Sequence, residues 1–300
     1  MPTTNEIRKA ITDQIVAVLK RGSLPPWRKP WRSDRNSGFP VNVISGQRYR
    51  GINPLLLELA STRHGFTSKF WGTFRQWDQL RCRVKARPKD VVPGQWGTNI
   101  IFWKPITKTE TNDGEESKER FFILKGYCVF NADQVEGAEP FRVGNSPATE
   151  ESPIIPFDEA DRAIAATGAD IRYGGDRAFY NRTADFIQIP PRETFALPEY
   201  YETVFHELTH WSEHRLHWEG SRPMAELIAE IGSCFTATEL GLPNAQNMQN
   251  HAAYVQNWLQ AMQNDPKFIF DAASQGSKAA DFILSFSRAV KTADETAVAA

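Results

Sequence analysis

Apolar and charged positions alternate with a helical period at the start of the chain. Ile7, Ile11, Ile15, Val18 and Leu19 keep that period, Thr3 and Glu6 have the spacing of a capping box, and Gly22 supplies a stop. An amphipathic helix ending in basic residues is predicted. It cannot run on through Pro25-Pro26-Trp27-Arg28-Lys29-Pro30-Trp31-Arg32, because each proline lacks an amide donor and clashes with the preceding turn. This stretch is expected as an exposed or docked basic-aromatic loop. Asn53-Pro54 opens a short helix through Leu59, and Thr73 opens another through Leu80. Val84 to Pro88 and Thr98 to Trp103 read as strands. A hairpin is expected between Ile100–Pro105 and Phe121–Phe130, across an acidic turn at Thr109–Glu119.

Gly, Pro, Glu and Ser crowd into 136–156, which is the expected linker between a domain at 1–135 and another at 157–300. Beyond it, Phe157–Thr167 has the pattern of a helix stopped by Gly168. Ile171–Tyr173 and Asp185–Ile189, separated by Gly174-Gly175, predict a short antiparallel sheet, with Asp185–Ile189 as an edge on which an extended peptide could add. Helices follow near 197–216, 223–240, 248–263 and 278–290. The fold class is therefore α+β: a small basic α+β domain, then a mainly helical domain with a short sheet.

Composition narrows the class. At 300 residues and 41% hydrophobic content the chain can bury substantial cores. There is no apolar run of about 18 residues and no signal-peptide h-region, so neither membrane insertion nor export is expected. Cys82, Cys128 and Cys234 form no CxxC pair, which argues against a disulfide framework or a cysteine zinc module and for a reducing cytoplasm. The net charge of −1 hides a division: residues 1–130 hold 23 Lys and Arg against 11 Asp and Glu, and the remainder is correspondingly acidic. A basic half of this kind suits a polyanion, most commonly nucleic acid.

The acidic half carries His206-Glu207-Leu208-Thr209-His210, an HExxH motif among helically spaced apolar residues. On a helix the two imidazoles project from one face and can hold one Zn2+, while Glu207, rotated by about 100°, reaches a water at the metal. His214 and His217 lie further along and are expected at the surface or behind the ligands. A catalytic site needs a third protein ligand and an open position. Glu226 and Glu230, one helical turn apart on the next helix, are the candidates: Glu226 on the metal and Glu230 accepting from a ligand histidine, with the reverse assignment left open by spacing alone. Ser212, Glu213 and Trp211 read as scaffold. Glu207 is the catalytic base in this scheme, and His251 or Tyr254 could face the oxyanion.

In the basic half, six of the nine tryptophans sit among arginines and lysines. Trp27, Arg28, Lys29, Trp31, Arg32, Arg50, Trp71, Arg75, Trp77, Arg83 and Lys85 together have the chemistry of a single-strand binder, with stacking platforms and phosphate neutralisation.

Both halves resemble the ArdC-type antirestriction proteins. The resemblance runs through Pro26-Trp-Arg-Lys-Pro-Trp31, Tyr49-Arg-Gly-Ile-Asn-Pro54, Phe70-Trp-Gly-Thr-Phe-Arg-Gln-Trp77, Gly126-Tyr-Cys-Val-Phe-Asn-Ala-Asp-Gln-Val-Glu-Gly137, Phe205-His-Glu-Leu-Thr-His-Trp211, Ala225-Glu-Leu-Ile-Ala-Glu-Ile-Gly232 and Tyr254-Val-Gln-Asn-Trp-Leu259. It implies an N-terminal single-stranded-DNA-binding domain joined to a zincin-like metallopeptidase domain in a SprT-like arrangement. It also implies protection of incoming plasmid DNA from restriction, and the leading reading is a DNA-binding metallopeptidase that acts on a restriction enzyme or other DNA-bound protein, or shields DNA from it. Val84–Gly94 is less glycine-rich than the lysine-glycine turn usual there. Two rival readings are a strand-coating protein whose metal site is structural or regulatory, and a metal-dependent nuclease. The latter suits oxygen-rich magnesium sites better than this donor set.

Overall fold

The computed structural model describes residues 3–23, 25–28, 34–112, 115–144, 156–243 and 252–298. Thr3 and Glu6 close the capping box that starts α1 (Thr4–Lys20), and Ile11, Ile15, Val16 and Leu19 are buried along it. There follow β1 (Val41–Asn42), α2 (Asn53–His64), β2 (Phe70–Thr73), α3 (Phe74–Gln79), β3 (Arg83–Val84), β4 (Thr98–Asn112), β5 (Glu115–Asn131) and β6 (Val135–Glu136). The main sheet has the order β1-β2-β5-β4, with β1 parallel to β2 and the other pairs antiparallel. The β4–β5 hairpin is longer than the sequence predicts. Its register continues from Thr98↔Val129 to Asn112↔Glu115, so most of the expected acidic turn is strand. Alternating threonines at 107, 109 and 111 favour extended backbone there.

Residues 136–144, expected as linker, belong to the N-terminal half. β6 pairs with β3, Ala138 is fully buried, and the Phe141 ring packs 5.7 Å from that of Trp77. The Asn36 side-chain amide fastens this segment by donating to the carbonyls of Pro140 and Arg142. Their Gly and Pro shape tight turns over a small core of Trp77, Cys82, Val135 and Ala138. The rest of the expected linker, 145–155, lies outside the described residues.

The second half comprises α4 (Pro156–Ala166), β7 (Asp170–Tyr173), β8 (Phe179–Asn181), β9 (Phe186–Ile189), α5 (Leu197–Arg215), α6 (Arg222–Glu239), α7 (Ala252–Asn264) and α8 (Phe268–Val298). Its sheet has the order β7-β9-β8 and is mixed, not antiparallel, because β7 runs parallel to β9. The strand expected at an edge, β9, is therefore central, and β8 lies at an edge. Helix α6 is clasped between two others at glycines. A Cβ on Gly232 would come within 2.8 Å of Thr209 Cγ2 on α5, and one on Gly276 of α8 within 3.1 Å of the Gly232 amide nitrogen. No described helix is long and apolar enough to cross a membrane.

The largest core crosses the boundary between the halves. Ile11, Ile15, Leu19 and Trp27 pack with Leu227, Ile231, Trp258 and Ile269. The helix that opens the chain thus completes the bundle that closes it.

Candidate functional site

Pro198 in the first turn of α5 and Pro223 in the first turn of α6 fix two helix starts where no amide partner is needed. The close approach at Gly232 then brings the helices together. His206 and His210 project from α5 with ring centroids 4.9 Å apart. Glu226 arrives from the first turns of α6, its Oε2 lying 3.5 Å from His206 Nε2 and 3.8 Å from His210 Nε2. One donor atom from each of the three lies within 4.8 Å of the others. A tetrahedral ion with bonds of about 2.0–2.1 Å has donors about 3.4 Å apart, so two imidazoles and one carboxylate fit a divalent cation of zinc type with little movement.

Electrostatics agree with that fit. Burial opposes a charge on His210, but the hydrogen bond to Glu213 and the nearby Glu226 carboxylate outweigh it and push its pKa up to about 10. Burial likewise opposes ionisation of Glu226, yet the two histidines hold its carboxyl well below the usual range.

A cavity of about 810 Å³ opens over the triad, lined by Glu207, Glu213, His214, Arg222 and Tyr254 and walled by Arg177 to Tyr180 and Arg182 beside β8. Glu207 is buried against it. Tyr254 stacks on Trp258 and lines the cavity together with Arg222. His214 is exposed at the cavity, and His217 is exposed just beyond α5. His251 lies outside the described residues.

Two assignments change. Glu230, expected to accept from a ligand histidine, instead accepts from Arg28 Nε at 2.8 Å and from the Trp27 indole at 3.3 Å. The carboxylate that meets the far nitrogen of a histidine is Glu213, 2.8 Å from His210 Nδ1. Its i,i+3 spacing on the same helix was the signal available in the sequence, where it read as scaffold.

The basic half also departs from expectation. Trp27, Trp71 and Trp77 are buried, the last two completely, so none offers a face to a nucleobase. Trp71 fills the core with Leu57, Ile100 and Val129, and the Trp77 indole donates to the carbonyl of Phe130. Arg28 is 3% exposed and bonded to Glu202 and Glu230, which removes it from the phosphate contacts. Arg50 is exposed but reaches Asp281 at 3.2 Å, and half-buried Lys85 donates to the carbonyl of Asp133. Arg75 and Arg83 are exposed as expected of phosphate contacts, whereas Lys29, Trp31 and Arg32 lie outside the described residues. Among the described residues of this half the exposed aromatics are others: Phe74 at 59%, Phe102 at 45% and Tyr127 at 38%. The Phe102 and Tyr127 rings meet edge to face at 5.5 Å, and Lys125 Nζ stands 5.2 Å from the Tyr127 ring.

Residues 158–275 match the family of zincin-like metallopeptidase domains, and residues 5–130 match the N-terminal domain of anti-restriction factor ArdC. The chain is 36% identical to the antirestriction ArdC protein from the R388 plasmid. The alignment spans 94% of this chain and 98% of that one, with TM-scores of 0.75 to its metal-free structure and 0.71 to its Mn(II)-bound structure. It is also 32% identical to the Sinorhizobium fredii protein y4eC over 94% of this chain and 92% of that protein. A further match, 33% identical, spans 92% of this chain and 27% of the Escherichia coli DNA primase TraC. Fold and site define a zincin-like metallopeptidase domain built onto an ArdC-type N-terminal domain. The chain belongs to the ArdC antirestriction family.

Proposed function

We propose that this protein is a zinc metallopeptidase-type antirestriction protein, held on single-stranded DNA by its basic half and acting on proteins bound to the same DNA, restriction enzymes among them, in the cytoplasm of a cell receiving plasmid DNA. The observation that carries the reading is the convergence of His206, His210 and Glu226 in a cavity that also holds Glu207. A structural zinc site closes with four protein ligands, whereas three ligands facing a large cavity suit a site that turns over. Mn(II) binding by the R388 relative supports a divalent cation here, and the nitrogen-rich donor set favours zinc.

When bound, the cation supplies a Lewis acid that acidifies water and polarises an amide carbonyl. His206, His210 and Glu226 would hold it, and Glu213 would fix the His210 ring so that Nδ1–H donates and Nε2 faces the cation. Glu207 takes the proton from water and returns it to the leaving amine. Tyr254, at the cavity wall with Arg222, can donate to the developing oxyanion. Among the described residues β8 pairs only with β9, so its outer edge is available to align an extended peptide along the cavity. On the basic half, exposed Phe74, Phe102 and Tyr127 supply stacking faces, and exposed Arg75, Arg83 and Lys125 supply cations for phosphate.

The test compares wild type, Glu226→Ala and Glu207→Gln. Wild type should retain one zinc per chain and Glu226→Ala should lose it. Glu207→Gln should retain zinc and DNA binding while losing cleavage of DNA-bound protein and antirestriction in cells. Full protection by Glu207→Gln would replace this reading with strand coating.

A further inference from the structure

Arg28 comes from the N-terminal half but ends in the metal cavity. Its Nε lies 2.8 Å from Glu230 Oε1 and its Nη1 3.2 Å from Glu202 Oε2, and all three side chains are at least nine-tenths buried. The two carboxylates have a shared relation to the metal triad. Glu202 precedes His206 by one turn of α5, and Glu230 follows Glu226 by one turn of α6. Arg28 is itself held firmly: its amide donates to Pro25 O, while neighbouring Trp27 packs edge-on against Trp258 and donates to Glu230.

Two buried carboxylates on adjacent helices repel each other, and next to a divalent cation either could swing in as a competing ligand. A guanidinium answers both problems, since its planar fork can engage two carboxylates through different nitrogens at once, which a single ammonium does less well. We propose that Arg28 is a positioning residue of the metal centre: by bridging Glu202 and Glu230 it sets the spacing of the two ligand helices and withholds both carboxylates from the cation. The metal site of the acidic half is then incomplete without a residue of the basic half. This inference rests on the assignment of His206, His210 and Glu226 as ligands.

The full chain is titrated with Co2+ as the probe, in competition with a chelator, and its visible absorption is recorded, because four-coordinate Co2+ absorbs much more strongly than six-coordinate. Arg28→Met should lower affinity at least tenfold and weaken the band as further carboxylates join the ion. Arg28→Lys should restore the band but only part of the affinity. Adding Glu230→Gln to Arg28→Met should recover the band by removing a competing ligand. Ile15→Ala, in the core that carries Trp27, should lower the melting temperature and leave affinity and spectrum unchanged. Wild-type binding by Arg28→Met, or an equal affinity loss in Ile15→Ala, overturns the inference. If Arg28→Met does not fold, Arg28→Lys decides, and wild-type affinity there overturns it. Glu226→Ala separates the two levels. Unchanged Co2+ binding in that variant refutes the ligand assignment itself, whereas its loss beside an indifferent Arg28→Met refutes only the positioning role.

Discussion

Gly232→Ala adds one methyl group where α6 meets α5, and the structure sets its consequence. The new Cβ would stand 2.8 Å from Thr209 Cγ2 and 2.9 Å from Thr209 Oγ1. Thr209 cannot step aside cheaply, because it is fully buried, β-branched and fixed by a 2.7 Å hydrogen bond from its hydroxyl to Phe205 O. Overpacking of this kind costs about 1–3 kcal/mol, against about 0.5–1 kcal/mol gained by replacing a helical glycine with alanine. The net should be a loss of about 1–2 kcal/mol, or roughly 2–4 °C in melting temperature for a chain this size. Thr209 lies between His206 and His210, so separating the helices also carries Glu226 away from the imidazoles. Donor spacings of 3.5 and 3.8 Å already exceed the tetrahedral ideal, and a few tenths more should cost about tenfold in zinc affinity. Calorimetric melting and chelator competition measure the two effects. In the double variant Thr209→Ala/Gly232→Ala the methyl occupies vacated space, so the two changes should be non-additive and affinity should recover. A Gly232→Ala protein that melts higher than wild type with unchanged zinc affinity would refute the reasoning.

Glu213→Gln should weaken metal binding about 10–100-fold by loosening the His210 ring, which a zinc titration reads directly. In the metal-free protein the His210 pKa is raised, so its contribution to stability is complete below pH about 6.5 and disappears as pH rises through about 10. Melting curves across that window should show the decline in wild type and less of it in Glu213→Gln. For the basic half, Phe102→Ala and Tyr127→Ala should each weaken single-strand binding by about 1–3 kcal/mol with little change in melting temperature. Trp77→Ala should do the opposite, costing about 3–5 kcal/mol of stability through the cavity it leaves. Fluorescent-oligonucleotide titration of the folded variants separates the two classes.

Local signals carried far because they are self-contained. The Thr3–Glu6 box, the Thr73 cap and the HExxH spacing each fix a helix or a helix face from a few neighbouring residues: α1 and α3 begin where their caps place them, and α5 carries His206 and His210 on one face. Long-range packing was less visible. The helix expected near 278–290 begins at Phe268 and carries Gly276 inside it, where α6 leaves no room for a Cβ. Trp71 and Trp77 share the composition of stacking residues, and only the sheet above them reveals that they are core. Glu230 and Glu226 are equivalent by helical period. Arg28, more than two hundred residues away in sequence, distinguishes them by taking Glu230.

The shared core also alters how the halves must be separated in an experiment. Cutting at residue 130 removes Val135, Ala138 and Phe141 from the small core around Trp77, and leaves Ile11, Ile15, Leu19 and Trp27 without Leu227, Ile231 and Trp258. A 34–144 fragment keeps the sheet, β6 and that small core while omitting α1. It still leaves Ile52, Leu55, Leu56 and Ile101 without their partners in the shared core, but it should melt more sharply than 1–130 and bind single strands; equally cooperative melting of 1–130 would contradict this. The difference matters for mechanism. Halves joined by a flexible linker would meet a substrate at an effective concentration set by linker length, but halves joined through a common core present the cavity in one orientation. A DNA-bound protein would then be attacked only where its chain can reach the β8 edge from the strand that the basic half holds. Shifting the bound strand relative to a fixed protein roadblock by a few nucleotides should move cleavage between accessible and silent positions. Cleavage indifferent to that offset would favour a flexible tether.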